Sequence, residues 1–176
     1  MEEYVILVDE HDNELGSMEK MEAHIKGVLH RAFSVLVFNT KGEMLIQRRA
    51  DCKYHSAGLW TNTCCSHPRA GEEIEEAAQR RLKEEMGLNL QPEKAYSFIY
   101  RIELDGGLIE NELDHVLIAT YDGEPVLNPE EAQDWKYISL PMLKTRMKSH
   151  PQEFTHWFKL IVNHPELNAL VTALPI

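Results

Sequence analysis

The sequence is poor in cysteine and has no long apolar run. Its three cysteines are Cys52, Cys64 and Cys65. An odd count with two adjacent residues argues against a disulfide framework and favours a reduced, cytoplasmic setting. No segment approaches the roughly 20 apolar residues that a membrane-spanning helix needs. The N-terminus also lacks the basic and apolar regions of a secretory signal, so we expect a cytoplasmic protein with no membrane partner.

Basic residues are scarce as well. With 18 Lys and Arg against 29 Asp and Glu, the net charge is −11. This argues against nucleic acid as a partner, because nucleic-acid-binding proteins carry a basic patch or stripe. A local cluster of cations can still bind an anionic substrate. Internal repeats, low-complexity tracts and linkers are also missing. Since one domain usually takes about 100–200 residues, we expect a single domain over residues 1–176.

The periodicity of apolar residues predicts a mixture of strands and helices. Predicted strands cover residues 4–8, 32–38, 43–47, 59–65, 95–103, 108–120 and 135–138, and the second and third form a hairpin. Predicted helices cover residues 72–86, 141–148 and 151–163, and residues 19–27 form a short helix or an irregular segment. Strands and helices do not alternate regularly, so the pattern favours an α+β fold or an α/β/α layered fold. No motif is readable after residue 163.

Two glutamates in the predicted strand 108–120 need a compensating cation. Glu110 and Glu112 are two residues apart, so their side chains point to the same face. Burying two adjacent carboxylates is unfavourable unless a cation or a proton compensates. Three upstream histidines could join them as ligands of a divalent metal: His24, His30 and His67. Cys65 lies two residues before the last of these and would supply an acid–base thiol.

The same residue types also have ordinary structural roles. A lone histidine is usually a surface or core residue, and we assign that role to the remaining six, which include His55, His115 and His164. Cys65 could be an inert buried thiol, which is the commoner fate of cysteine. The segment 48–53, with two arginines and a lysine, could be an exposed basic edge.

The predicted helix 72–86 carries two charges on its apolar side. Its apolar stripe consists of Ile74, Ala77, Ala78 and Leu82. Arg81 and Glu85 fall within that stripe, one turn apart. They could form an ordinary ion pair at the edge of the core, which would add only a few tenths of a kcal/mol. We favour a functional interpretation, because desolvated charges in a cleft often mark sites: Arg81 binds phosphate oxygens and Glu85 binds a divalent cation.

This helix resembles the Nudix motif, G-x5-E-x7-R-E-U-x-E-E-x-G-U, in which U is an apolar residue. Aligned on residues 84–88 (EEMGL), the motif also places Glu72 and Arg80 in their expected positions. Two positions depart from it, because Ser66 replaces the leading glycine and Arg81 replaces the glutamate after the arginine. The second departure removes a carboxylate that helps to hold catalytic metal in Nudix hydrolases, which argues against ordinary diphosphate hydrolysis.

Further blocks resemble one branch of this superfamily, the type I isopentenyl-diphosphate isomerases. They are, in order, EKMEAH at 19–24, LHRAFS at 29–34, QRRA at 47–50, WTNTCCSHP at 60–68, YR at 100–101 and ENE at 110–112. The resemblance implies a Nudix-like α/β/α sandwich with a mixed sheet in one compact domain. It also implies an enzyme of isoprenoid biosynthesis that interconverts isopentenyl diphosphate and dimethylallyl diphosphate. Its partner would be this small C5 diphosphate, and we expect a monomer or a weak homodimer.

Matched position by position, the resemblance implies roles for single residues. Cys65 and Glu112 correspond to the acid–base pair, and Tyr100 assists the glutamate. The matching metal ligands are His24, His30, His67, Glu110 and Glu112. The cations that match diphosphate-binding residues are Lys20, Arg49, Lys53 and Arg81. Glu85 corresponds to a ligand of a second cation, Mg²⁺, which contacts the diphosphate. Trp157 matches an aromatic residue over the isoprenoid, although a core role is the alternative.

The implied chemistry requires groups of this kind. Moving a double bond adds a proton at one carbon and removes one from another, through a carbocation-like intermediate, so the site needs an acid, a base and no water. A mixed nitrogen and oxygen ligand set suits Mn²⁺, Zn²⁺ or Fe²⁺ better than bare Mg²⁺, although the sequence does not select among Mn²⁺, Zn²⁺ and Mg²⁺. Two alternatives stay open: a Nudix hydrolase acting on a nucleoside diphosphate derivative, and a non-catalytic metal- or diphosphate-binding module.

Overall fold

The computed structural model describes residues 3–173, in which nine strands form one mixed sheet flanked by five α-helices. The strands are β1 Tyr4–Val8, β2 Glu14–Glu19, β3 His30–Phe38, β4 Glu43–Arg49, β5 Trp60–Thr61, β6 Cys64–Ser66, β7 Glu93–Glu103, β8 Ile109–Thr120 and β9 Ala132–Ser139. The helices are α1 Lys20–Lys26, α2 Ile74–Met86, α3 Leu140–Ser149, α4 His156–Asn163 and α5 Pro165–Ala173. Within this described part, none of the helices is both long and apolar enough to cross a membrane.

Strand β3 is the centre of the sheet. Along one edge it pairs in parallel with β8, from His30 opposite Glu112 to Phe38 opposite Thr120. Along its other edge it pairs with β1 at its start, with β6 in its middle and with β4 at its end. Strand β7 pairs with the far edge of β8, and β9 pairs with β4. The strands β6 and β8 therefore flank β3 on opposite sides.

The two faces of the sheet bury separate apolar clusters. Side chains alternate along β3, so Val35 and Val37 pack with α2 on one face, while Leu36 and Phe38 pack with α3, α4 and α5 on the other. Full burial of a large apolar side chain such as Phe158 stabilises the fold by about 1.5–3 kcal/mol. The layered arrangement confirms the predicted α/β/α sandwich with a mixed sheet.

Helix α2 begins two residues later than the sequence pattern predicted. Glu73 caps it, in a capping box with Glu76, and Gly87 ends it with a φ of 65°. Glu72 lies outside the helix because both of its carboxylate oxygens bind Arg80, at 2.7 and 2.9 Å. The two Nudix-motif residues thus fix the turn that leads into α2.

Other predicted elements differ where long-range contacts decide the structure. The predicted helix 151–163 is instead a 3₁₀ turn, Pro151–Glu153, followed by α4, because Phe154 is extended and forms a β-bridge with Trp60. Strand β2 was not predicted, since it is an exposed edge strand without apolar alternation. The predicted hairpin of β3 and β4 exists only next to its turn, because β6 takes the rest of that edge of β3. Helix α5 lies in the segment without a readable motif.

Candidate metal and acid–base site

Two of the predicted metal-binding histidines are each held in one tautomer by a backbone carbonyl. His24 on α1 donates from Nδ1 to the carbonyl of Lys20 at 2.6 Å, and His30 on β3 donates from Nδ1 to the carbonyl of Val28 at 2.8 Å. Since a carbonyl only accepts, each Nε2 keeps its lone pair when the ring is neutral. Both Nε2 atoms are buried and have no hydrogen-bond partner among residues 3–173. This is the arrangement expected of imidazoles that bind a metal.

A hydrogen bond holds the end of helix α1 next to strand β8. Gly27 closes the helix in the left-handed region, with a φ of 64°. Its carbonyl accepts a hydrogen bond from the Asn111 side chain at 3.0 Å. Asn111 lies between the two glutamates of β8, so this bond brings His24 close to them.

His67 and Glu112 complete a group of four potential ligands. His67 donates from Nε2 to Glu112 Oε1 at 2.9 Å, and His30 Nε2 lies 3.3 Å from the same oxygen. One ligand atom from each of the four residues lies within 4.8 Å of the others: His24, His30, His67 and Glu112. Protein nitrogen and oxygen ligands sit about 2.0–2.2 Å from a zinc ion, so a small inward movement would bring the four onto a divalent cation. The residues therefore fit a metal site.

Glu110, the fifth predicted ligand, lies beside this group and not within it. It is buried on the same face of β8 as Glu112. Its carboxylate is 3.5 Å from His55 Nε2 and 3.4 Å from the Tyr100 hydroxyl. The structure thus brings four of the five predicted ligands together, and Glu110 forms a second layer next to them.

Burial and mutual contact push the pKa values of these groups apart. Burial and the charge of Glu112 raise the pKa of Glu110 well above its ordinary value. Burial alone would raise the pKa of Glu112 too, but its contacts with His30 and His67 hold it well below that value. Burial lowers the pKa of His67 to about 4. For His30, burial is outweighed by the contact with Glu112, which raises its pKa. The different surroundings of these two neighbouring carboxyl groups thus favour the protonated form of Glu110 and the ionised form of Glu112.

The raised pKa of His30 makes metal binding depend on pH. An imidazole binds metal only when its ring nitrogen is deprotonated, so below the pKa of His30 a proton competes with the ion. We expect affinity for Mn²⁺ or Zn²⁺, measured by calorimetric titration, to increase as pH rises through the neutral range, by up to about tenfold per pH unit for a one-proton competition. His30→Gln should bind more weakly and lose this dependence. An affinity of the wild-type protein that is flat across neutral pH would contradict the assignment.

The predicted acid–base groups line one small cavity. Cys65 from β6 and Glu112 from β8 both border a cavity of about 70 Å³. The Tyr100 hydroxyl donates to Glu112 Oε2 at 2.6 Å. Burial raises the pKa of the Cys65 thiol, against an opposing effect of Arg49, so Cys65 is protonated here. Its neighbour Cys64 points the other way, into the core under α2, and is excluded from this chemistry.

All four predicted diphosphate-binding cations also line this cavity: Lys20, Arg49, Lys53 and Arg81. Three of them are paired with carboxylates, and the Lys53 ammonium lies 2.7 Å from Glu131. Arg49 differs, because its guanidinium bonds only to the His55 carbonyl, at 3.2 Å, and its Nε is buried without a partner among the described residues. The cavity therefore holds at least one desolvated cation that is not neutralised by an acidic side chain.

Arg81 and Glu85 on α2 form the predicted ion pair, which borders the cavity. Arg81 donates to Glu85 Oε1 at 2.6 Å and also to Glu131 Oε1 at 3.1 Å. The second oxygen of Glu85 accepts from Gln47 at 3.0 Å. Because Glu85 is buried and its carboxylate faces the cavity, it could contribute oxygen to a hard cation such as Mg²⁺.

Trp157 is a core residue that also borders the cavity. It is 3% exposed and belongs to the apolar cluster under α4, and one side of its ring also borders the cavity. The Arg49 guanidinium lies over the ring, 5.4 Å from its centre. The indole is thus a core residue that presents a face to the site.

The cavity wall also includes residues that were assigned no role at the site from the sequence, among them Gln47, Tyr54, His55 and Glu131. His55 had been assigned an ordinary structural role, and the structure places its side chain at the cavity wall. These side chains come from loops or carry no motif spacing, so no periodic signal marks them. Gln47 is the first residue of the QRRA block and His55 lies two residues after Lys53, and this proximity to matched residues was the one available hint.

Comparison with known proteins agrees with this geometry. The chain matches the NUDIX domain family over residues 28–158. It is 54% identical to a protein of Aromatoleum aromaticum named isopentenyl-diphosphate Delta-isomerase 2, covering 89% of this chain and 83% of that one. A protein of the same name from Photorhabdus laumondii is 52% identical, covering 93% and 92%. The isopentenyl-diphosphate Delta-isomerase of Burkholderia multivorans is 43% identical, covering 97% of both chains.

Solved structures share the fold at lower identity. A protein from Deinococcus radiodurans is similar with a TM-score of 0.72 at 19% identity, covering 99% of this chain and 100% of that one. A MutT NUDIX hydrolase from Burkholderia pseudomallei is similar with a TM-score of 0.60 at 19% identity, covering 78% and 98%. From the family match and the close relatives, this chain belongs to the NUDIX domain family and, within it, to the enzymes named isopentenyl-diphosphate Delta-isomerase.

Proposed function

We propose that this protein interconverts isopentenyl diphosphate and dimethylallyl diphosphate, with Cys65 and Glu112 as the acid–base pair. One observation carries the proposal: a protonated thiol and a tyrosine-bonded carboxylate border the same small cavity from opposite sides of β3. The names of its close relatives support the substrate. A proton added at the terminal alkene carbon and one removed from the carbon next to the CH₂–O group would complete the shift.

The wall of the cavity suits a reaction that passes through a cation. Trp157 and Tyr100 are both almost fully buried there. An aromatic face stabilises a desolvated cation by about 2 kcal/mol, and a substrate that fills the cavity would exclude the water that traps such a cation. The Tyr100 hydroxyl, which donates to Glu112, keeps that carboxyl group oriented while its proton moves.

The metal and the diphosphate would be held by separate sets of residues. His24, His30, His67 and Glu112 would bind one divalent cation, and Glu85 would bind a second, Mg²⁺, together with the substrate diphosphate. These ions supply fixed positive charge beside a carboxylate and an anionic substrate. Lys20, Arg49, Lys53 and Arg81 would hold the diphosphate, which gives the C5 tail a fixed anchor while it reacts.

The alternative of a Nudix hydrolase is disfavoured by Arg81. This residue occupies a motif position where the hydrolases carry a metal-binding glutamate. Its guanidinium instead binds Glu84, Glu85 and Glu131. A guanidinium at this point cannot itself coordinate a metal ion and attracts phosphate oxygens, so it suits binding of an intact diphosphate better than its cleavage.

Deuterium uptake from D₂O tests the proposal. We expect the metal-loaded protein to convert isopentenyl diphosphate to dimethylallyl diphosphate with deuterium in the new methyl group, detected by NMR, and without release of phosphate. Chelation of the metal should stop the uptake, and its return should restore it, because the four-ligand group holds a charge that the reaction needs. Release of phosphate without deuterium in any C5 diphosphate would instead identify a hydrolase. If neither isomerisation nor phosphate release is observed, the non-catalytic binding module is the alternative that is left.

A further inference from the structure

His55 lies in the loop between β4 and β5, and its side chain points into the catalytic cavity. The side chain is 10% exposed, which is unusual for a polar ring on a loop that no motif singles out. Its Nε2 atom is 3.5 Å from Glu110 Oε1. His55 is thus the nearest imidazole to the glutamate that stays outside the group of four metal ligands.

The ring also contacts the aromatic wall of the cavity. It meets the Trp157 ring edge to face, with the ring centres 5.8 Å apart. The centre of the ring also lies 6.4 Å from that of His24. His55 is therefore near both the aromatic wall and the imidazole group, where one ring can influence the position of each.

The loop presents this ring in a defined orientation. Backbone hydrogen bonds from Arg49 to Leu59 and from Gly58 to Arg49 close the base of the loop. Ser56 adopts a φ of 51°, a left-handed conformation that a non-glycine residue takes at some cost. Its hydroxyl lies 3.3 Å from His55 Nδ1. When this hydroxyl donates to Nδ1, the ring proton sits on Nε2 and faces Glu110.

We propose that His55 is a positioning residue that holds Glu110 and Trp157 on two sides of the substrate slot. Its ring edge fixes the indole, and its Nε2–H donates toward the Glu110 carboxyl group. This inference rests on the proposed function. It adds a residue that none of the family motifs in this sequence marks.

Three substitutions separate the two contacts of the ring. His55→Ala removes both, and we expect kcat to fall by about 10–100-fold, the range seen when a partner of a metal-site residue is lost. The affinity for Mn²⁺, titrated without substrate, should fall by about tenfold. His55→Gln keeps a donor for Glu110 and should recover most of the metal affinity. His55→Phe keeps the ring against Trp157 and should recover part of kcat but not the metal affinity.

His11→Ala is the matched control, because that histidine is on the surface with 76% of its side chain exposed. It should leave kcat, KM and Mn²⁺ affinity unchanged. Thermal unfolding of each variant separates loss of function from loss of fold. If folded His55→Ala binds Mn²⁺ and turns over like wild type, the proposal is wrong. It is also wrong if His55→Phe restores both quantities, since the ring would then only fill space. Failure of wild type to isomerise would overturn the proposed function, and the Mn²⁺ titrations would still decide the role of His55.

Discussion

We expect replacement of Cys65 by alanine to lower the rate of isomerisation by about 10²–10⁴-fold, the range that a positioned acid–base group contributes. The thiol borders the cavity, and burial raises its pKa, so in this state it is protonated and able to give a proton. Alanine fills most of its volume and cannot carry a proton. The measurement is the rate of deuterium uptake from D₂O at saturating substrate, so that loss of binding does not contribute to the result.

The two other cysteines provide controls for this experiment. Cys52 is exposed, so Cys52→Ala should keep full activity and stability. Cys64 is fully buried under α2, so Cys64→Ala should keep the acid–base pair but lower the free energy of unfolding by about 1 kcal/mol. If Cys65→Ala is folded and retains more than a tenth of wild-type activity, the thiol is not the proton carrier.

The second large effect is expected for Glu112→Gln. Glutamine has the same shape but neither takes up a proton nor carries the charge that His30 and His67 contact. Isomerisation should fall by about 10²–10⁴-fold. Unlike Cys65→Ala, this variant should also lose metal affinity, by more than the roughly 10–100-fold that an outer partner of a metal site contributes. Titration with Mn²⁺ therefore distinguishes loss of Glu112 from loss of Cys65, the two residues of the proposed acid–base pair.

Glu110→Gln is the matched comparison, two residues away on the same face of β8. Because Glu110 lies beside the four-ligand group and burial raises its pKa, its replacement should weaken Mn²⁺ binding less than Glu112→Gln does. Equal losses in the two variants would contradict the four-ligand arrangement and make Glu110 an equal ligand.

The sequence predicted the parts of the site that follow from spacing or from ordered motifs. Glu110 and Glu112 were found because residues two apart on a strand share a face, and both are buried on β8. The ion pair of Arg81 and Glu85 was found because helical periodicity put charges in an apolar stripe. The histidines could not be grouped by spacing alone, since His24, His30 and His67 come from three different elements.

What the sequence could not predict depends on contacts between distant segments. Glu131 reaches Arg81 from a loop 50 residues away. His55 enters the cavity because the loop that carries it is closed by backbone bonds and turned at Ser56. The start of α4 is set by the bridge between Phe154 and Trp60, which no local pattern encodes. Secondary-structure propensity is a property of local segments, whereas these features arise only once distant segments have packed together.

The position of β3 between β6 and β8 has a consequence for the fate of hydrogen atoms. The strand that carries the thiol is not the strand that carries the carboxyl group, so under the proposed mechanism the proton added to the substrate and the proton removed from it are carried by different residues. After one turnover the thiol would have lost a proton and the carboxyl group would have gained one. Each group would then have to exchange a proton with water before the next substrate molecule reacts. We therefore expect every product molecule to carry one hydrogen taken from the solvent.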